Sequence, residues 1–175
     1  LAILIGVFNK KTTRSIQISS KWLIVLCMAF AVTQKLLSKD YLSGDFMLFH
    51  LITDSRFSFL GTIFKFNLQE IIQENSIALA DISRNALPYE LNLGPKILSK
   101  ISMFITWQAI TLEALIAILF IFPRKSAYHI QHYSLLAFCT LYFLLPVKGF
   151  AFTILILGFT LLKKTDTVLK SLYIL

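Results

Sequence analysis

The sequence has two cysteines, Cys27 and Cys139, and no CxxC pair. A redox dithiol or a cysteine-rich metal site therefore lacks its ligands. Each cysteine falls inside an apolar run, where a single thiol acts as a small core residue. There is no glycine-rich phosphate loop, no nucleophile elbow and no HExxH, so three common catalytic signatures are missing. The first residues do not present a basic region, an apolar run and a small-residue cleavage site in that order, so no signal-peptide pattern is read there. No internal repeat, no low-complexity stretch and no pair of broken helices is seen, which counts against a secondary transporter.

What the chain has is apolar length. Of its 175 residues 57% are hydrophobic, and the mean hydropathy is +0.73. Soluble domains sit near 45–50% apolar. The excess is gathered into runs, which predicts an integral membrane protein: an all-α, polytopic transmembrane helical bundle. About 20 residues cross the hydrocarbon. Four spans are expected, at 20–37, 101–122, 127–145 and 147–162, in a single membrane domain covering 1–175. The fourth is short for a span. PVKG joins the last two as a tight turn. LAILIGVF at the start resembles the end of an apolar helix, and VLKSLYIL at the close resembles the start of another. The chain is therefore expected to have incomplete ends.

The net charge of +8 is placed by topology. Lys10, Lys11, Arg14 and Lys21 cluster at the first span, Arg124 and Lys125 lie between the second and third, and Lys163, Lys164 and Lys170 follow the fourth. Residues 35–100 hold seven basic and seven acidic groups, which cancel. This asymmetry is the positive-inside pattern. It places 9–21, 124–125 and 163–164 in the cytoplasm and segment 38–100 outside, as in a bacterial inner membrane. The basic groups sit in short connections and form no single patch, so nucleic acid is not an expected partner. The lipid bilayer and other membrane proteins are.

The outer segment is not a simple loop. Residues 41–66 are rich in aromatics but interrupted by Gly44, Asp45, His50, Asp54, Arg56 and Gly61, which suits an interfacial or re-entrant piece. In residues 68–87, Leu68, Ile71, Ile72, Leu79, Ile82 and Leu87 recur at helical spacing. An amphipathic helix on the outer membrane surface or on a partner is expected there. Residues 86–96, with Pro88, Gly94 and Pro95, read as a loop.

The run FITWQAITLEALIAILFIFP carries one carboxylate, Glu113, near mid-bilayer. A central charge costs about 2.5–3.5 kcal/mol on insertion scales, so Glu113 should face the bundle interior and have a partner. Two roles are open: a proton-active or ligand-binding group, or a hydrogen-bonded clamp between helices. Counting about 1.5 Å of rise per residue puts His132 within about 6 Å of its depth, which makes His132 a candidate partner. His129 lies nearer the surface. Thr111 and Tyr142 could add hydroxyls. Trp22, Trp107, Tyr128 and Tyr133 read as an aromatic belt. On the outer side, Asp45, His50, Asp54 and Arg56 form a second cluster. His50 and Asp54 would share a helical face. They are too few for a metal site, so a solvated or ion-paired edge is expected.

TQKLLSKDYLSGDFMLFHLITDSRF (33–57) shows a helix ending in QK and then Y-x-x-G-x-F. WQAITLEALIAILFIFPRKSAYHIQHYSLLAF (107–138) shows a helix with a central Glu, a basic pair, and His opening the next helix. Together these resemble the HTTM group, the membrane-domain family that includes vitamin-K-dependent gamma-carboxylase, and more distantly DoxX-like proteins. The resemblance implies a helical bundle whose interior admits a quinone-like or lipid-like molecule, with Glu113 and His132 lining the cavity. The chain departs from the carboxylase in being much shorter and in lacking an evident large lumenal domain, so carboxylase activity is not carried over. No catalytic set is recognised and no cofactor is evident. The function expected is that of an integral membrane subunit or scaffold of a larger complex. The alternative is a quinone- or lipid-binding membrane enzyme or carrier using Glu113.

Overall fold

Two stretches of the chain lack both glycine and proline for longer than a bilayer is thick, and each forms one unbroken helix. They are α1 (Lys10–Leu37, 28 residues) and α6 (Lys96–Ile121, 26 residues). At about 1.5 Å per residue, α6 is about 39 Å long against about 30 Å of hydrocarbon. In the computed structural model, which describes residues 10–85, 90–122, 125–144, 148–163 and 165–174, these two helices are long and apolar enough to cross a membrane. Between them lie α2 (Lys39–Leu42), α3 (Asp45–Thr53), α4 (Phe59–Phe64) and α5 (Leu68–Asn85). After them come α7 (Tyr128–Leu144), α8 (Lys148–Thr160) and α9 (Thr167–Ile174). Two 3-10 turns, Ser55–Phe57 and Lys125–Ala127, complete an all-α order with no strand among the described residues.

Several boundaries differ from the sequence reading. The first helix starts at Lys10, not Ser20, so the basic residues from Lys10 to Lys21 ride on the helix itself. Hydropathy marks the apolar part of a helix; it does not see the Lys-, Thr-, Ser- and Gln-rich turns before it, which are helix-compatible. α6, at the second expected span, starts at Lys96, directly after Pro95, whose carbonyl accepts from Leu98 N–H at 2.9 Å. α7 and α8, at the third and fourth expected spans, hold 17 and 13 residues. Of the PVKG turn, Lys148 and Gly149 open α8, and Pro146 and Val147 lie outside the described residues, as do LAILIGVF and Leu87.

The chain divides into two compact units: Leu1–Gln34 with Ile110–Leu175, and Lys35–Ala109. In the first, α7 and α8 form a close helical hairpin. Phe138, Cys139, Ala151 and Ile154 are buried, and Cys139 Sγ lies 3.5 Å from the Ala151 carbonyl oxygen. α9 closes the unit by burying Leu169 and Tyr173 with Leu162 against Tyr128, Leu136 and Leu155. Gly158 makes this possible. A Cβ there would stand 2.8 Å from the Tyr173 hydroxyl.

In the second unit, Leu48 and Ile52 of α3 pack with Leu68 and Ile72 of α5 and with Leu98. The expected surface helix is present as α5, but its apolar face is covered by α3 within its own unit. Periodicity identifies the face and not what will cover it. Residues 41–66 fold as three short helical pieces and a 3-10 turn. Gly44 links α2 to α3 with φ 85°, and the space its Cβ would take is filled by Met103 backbone at 3.1 Å.

Candidate functional site

α6 buries one stripe along its length: Leu98, Ser102, Thr106, Ala109, Ile110, Glu113, Ile116, Ala117 and Phe120. The spacing of three and four is that of a single helical face. Glu113 sits on this stripe, fully buried. Its Oε1 accepts a hydrogen bond from the Tyr142 hydroxyl of α7. The Tyr142 ring is fixed in turn: it stacks on Phe138 at 4.1 Å between centroids and meets Phe150 at 6.2 Å. Thr111, two residues from Glu113, is exposed, because a step of two turns a helical side chain most of the way round.

His132 does not take Glu113. The hairpin register is set lower down, where Gln131 Nε2 donates to the Leu119 carbonyl at 2.7 Å. This puts His132 level with Phe120, at 6.4 Å between ring centroids. Glu113 is seven residues back along α6, about 10 Å away by helical rise. The sequence-based depth missed this because it set both helix ends at one level, whereas the short link brings α7 in beside the last turn of α6. His132 shares a hydrogen bond with another tyrosine: its Nδ1 lies 2.9 Å from the Tyr173 hydroxyl of α9. Glu113 with Tyr142 and His132 with Tyr173 are thus separate polar contacts in the first unit. His129 joins neither. It is exposed and stacks on Tyr133 at 6.4 Å.

His132 also lines a cavity of about 470 Å³ in the first unit. Its rim carries Arg14 and Lys21 of α1 and Lys163 just beyond α8. Tyr128 forms one wall, with the Lys163 ammonium 4.1 Å above its ring and its hydroxyl accepting from the Lys163 backbone N–H at 3.0 Å. Gln17 of α1, also on the wall, donates to the Thr160 carbonyl at 3.3 Å. Glu113 is not among the residues that line it. The expected aromatic belt divides accordingly. Trp22, Trp107 and Tyr133 are about half exposed, and Tyr128 turns to the cavity.

The outer cluster is an ion-paired edge. The Asp54 side chain caps the 3-10 turn by accepting from Arg56 N–H at 3.0 Å, and Arg56 forks onto both carboxylate oxygens. The Arg56 hydrogen bonds hold the Asp54 carboxyl below its ordinary range. His50 stays on its own helix, its Nδ1–H donating to the Phe46 carbonyl at 2.9 Å. Asp45 accepts from the Ser43 hydroxyl at 2.6 Å. Among the described residues no three His, Cys, Asp or Glu side chains converge as a metal site requires.

One polar centre was not singled out in the sequence. Asn75 is buried on α5. Its Nδ2 donates to the Ile52 carbonyl at 3.0 Å and to the Asn92 carbonyl at 2.9 Å, and its Oδ1 accepts from Asn92 N–H at 2.8 Å. It holds the end of α3, the middle of α5 and the stretch before α6 together. The one sequence signal was an Asn at helical spacing among Leu68, Ile72 and Leu79.

No protein-family model, no curated protein and no solved structure matches this chain.

Proposed function

We propose that the chain is an integral membrane subunit or scaffold protein of a larger membrane complex. The bundle would sit in a bacterial inner membrane with residues 38–100 outside. The observation that carries this reading is the set of large apolar side chains left exposed on the two long helices. On α1 and α6, Phe30 is 71%, Phe104 68% and Ile118 55% exposed. The buried stripes are mainly apolar and also admit the polar groups Ser20, Ser102, Thr106 and Glu113. In water each large apolar side chain left out forfeits about 1.5–3 kcal/mol, and contiguous patches of this kind mark a membrane or partner surface. In lipid that cost vanishes, and polar groups turn inward to find one another.

The scaffold role follows from what Glu113 does. Its carboxyl is engaged by Tyr142 and lies off the cavity, as suits a clamp between α6 and α7. α8, about 20 Å long by helical rise, is shorter than the hydrocarbon. Thinned bilayer or a partner's helices would cover its ends. Kinship with the HTTM group belongs to this proposal and rests on the patterns at 33–57 and 107–138. The test is native mass spectrometry of the gently extracted protein. Stoichiometric partner proteins are expected. A chain that leaves the membrane on carbonate washing, or that runs alone under every mild extraction, would overturn the reading.

A further inference from the structure

The basic residues that orient the chain in sequence do something more in three dimensions. Arg14 and Lys21 lie over a hundred residues from Lys163, yet all three line one cavity. No described carboxylate lines it. Asp166 is not a lining residue, but its carboxylate interacts with the lining Tyr128 by hydrogen bond and charge and with His132 by charge. Like charges gathered around a hollow repel unless an anion fills it. The walls are already braced. Gln17 and Gln131 spend their amides on the Thr160 and Leu119 carbonyls, and His132 is engaged by Tyr173. The three cations line the hollow, and although Lys21 lies over the Trp22 ring and Lys163 over the Tyr128 ring, such ring contacts leave ammonium N–H groups to meet a ligand.

The remaining lining is apolar, from Ile18, Phe120, Leu161 and Leu162. The volume, about 470 Å³, falls in the ~300–1,000 Å³ range of small-ligand pockets. The cavity lies where α1 and α7 begin and α6 and α8 end. We infer that this is a binding site for the phosphate headgroup of an anionic phospholipid, with Arg14, Lys21 and Lys163 on the phosphate and an acyl chain running along Ile18 and Phe120. A free phosphate would satisfy the cations and leave the apolar lining unused. A phospholipid uses both, and basic pockets between membrane helices on the cytoplasmic side suit such headgroups. The inference rests on the membrane reading above and adds a ligand to it.

The test uses the full chain in nanodiscs of phosphatidylcholine doped with phosphatidylglycerol, with retained lipid read by native mass spectrometry. One phosphatidylglycerol per chain should be retained over phosphatidylcholine. Arg14→Gln, Lys21→Gln and Lys163→Gln should each weaken retention about five-fold, and the triple variant on the order of a hundred-fold. Lys21→Arg with Lys163→Arg should keep it, which separates lost charge from lost folding. Equal retention of the two lipids, or an unchanged triple variant with a native circular dichroism spectrum, would overturn the site. Inorganic phosphate competing as strongly as the lipid would overturn its assignment to a lipid. Carbonate extraction of the same membranes separates the two claims. Release of the chain defeats the membrane reading. A chain that stays and retains no anionic lipid defeats this inference alone.

Discussion

The contact between Glu113 and Tyr142 can be tested as a coupled pair. Tyr142→Phe removes one oxygen and keeps the ring that stacks on Phe138, so no cavity opens. The carboxyl it leaves behind is fully buried. A buried acceptor that loses its donor costs about 1–3 kcal/mol. Glu113→Gln keeps a carbonyl oxygen for the hydroxyl and should cost less, within about 1 kcal/mol. Inside a membrane the unfolded chain also finds polar partners, which lowers interhelical hydrogen bonds to about 0.6–2 kcal/mol. Glu113→Leu with Tyr142→Phe then gives a double-mutant cycle with an expected coupling of about 0.6–2 kcal/mol. The assay is equilibrium unfolding in mixed micelles, followed by the helical signal. A coupling within about 0.5 kcal/mol of zero, the limit of additivity for independent sites, would refute the clamp. So would a Tyr142→Phe variant as stable as the parent.

Five further variants have expected outcomes. Gly44→Ala should destabilise by about 1–2 kcal/mol or more, since an L side chain is strained at φ 85° and would meet Met103 backbone; Gly149→Ala, with nothing within 4 Å of its Cβ, should be neutral or stabilising in the same thermal melt. Gly158→Ala should displace Tyr173 from His132, seen as faster hydrogen exchange in α9 while α7 stays protected. Asn75→Ala should cost more than about 2 kcal/mol in chemical denaturation, because the Ile52 and Asn92 backbone groups lose their partner. Asp54 titrates below its ordinary value, so its contribution is present above pH 3.8 and fades as pH falls through the lower folded value. With side chains 22% and 38% exposed, the Asp54–Arg56 pair contributes at most about 1 kcal/mol, and Arg56→Gln should return the carboxyl titration, followed by carbon NMR, toward 3.8.

Much of the helix content was legible, because long apolar runs without glycine or proline have few alternatives to a helix. α6 and α5 appear near their expected places. Helix starts were harder, since Lys10 to Ser19 are polar and yet helix-compatible. Glu113 was readable as an inward-facing residue, since burying a carboxyl demands a partner. Which residue that partner would be depended on the register between α6 and α7. The register is fixed by a backbone carbonyl, Leu119, which carries no sequence signal. Tyr142 was one of two hydroxyl candidates, and geometry retained it while leaving Thr111 exposed. Asn75, Gly158 and Tyr173 went unread for a related reason. Their roles lie in contacts between segments far apart in the chain.

Asn75 has a consequence in time as well as in space. A nascent chain that stops at Asn85 already holds α3 and α5, with most of the apolar cluster they share. It still lacks Asn92, which supplies two of the three hydrogen bonds Asn75 makes. Closure of the second unit therefore waits for the residues that immediately precede α6. The second unit would complete itself only as the second long apolar helix begins to be made, when the Asn75 amide meets Asn92 and Leu98 joins the cluster.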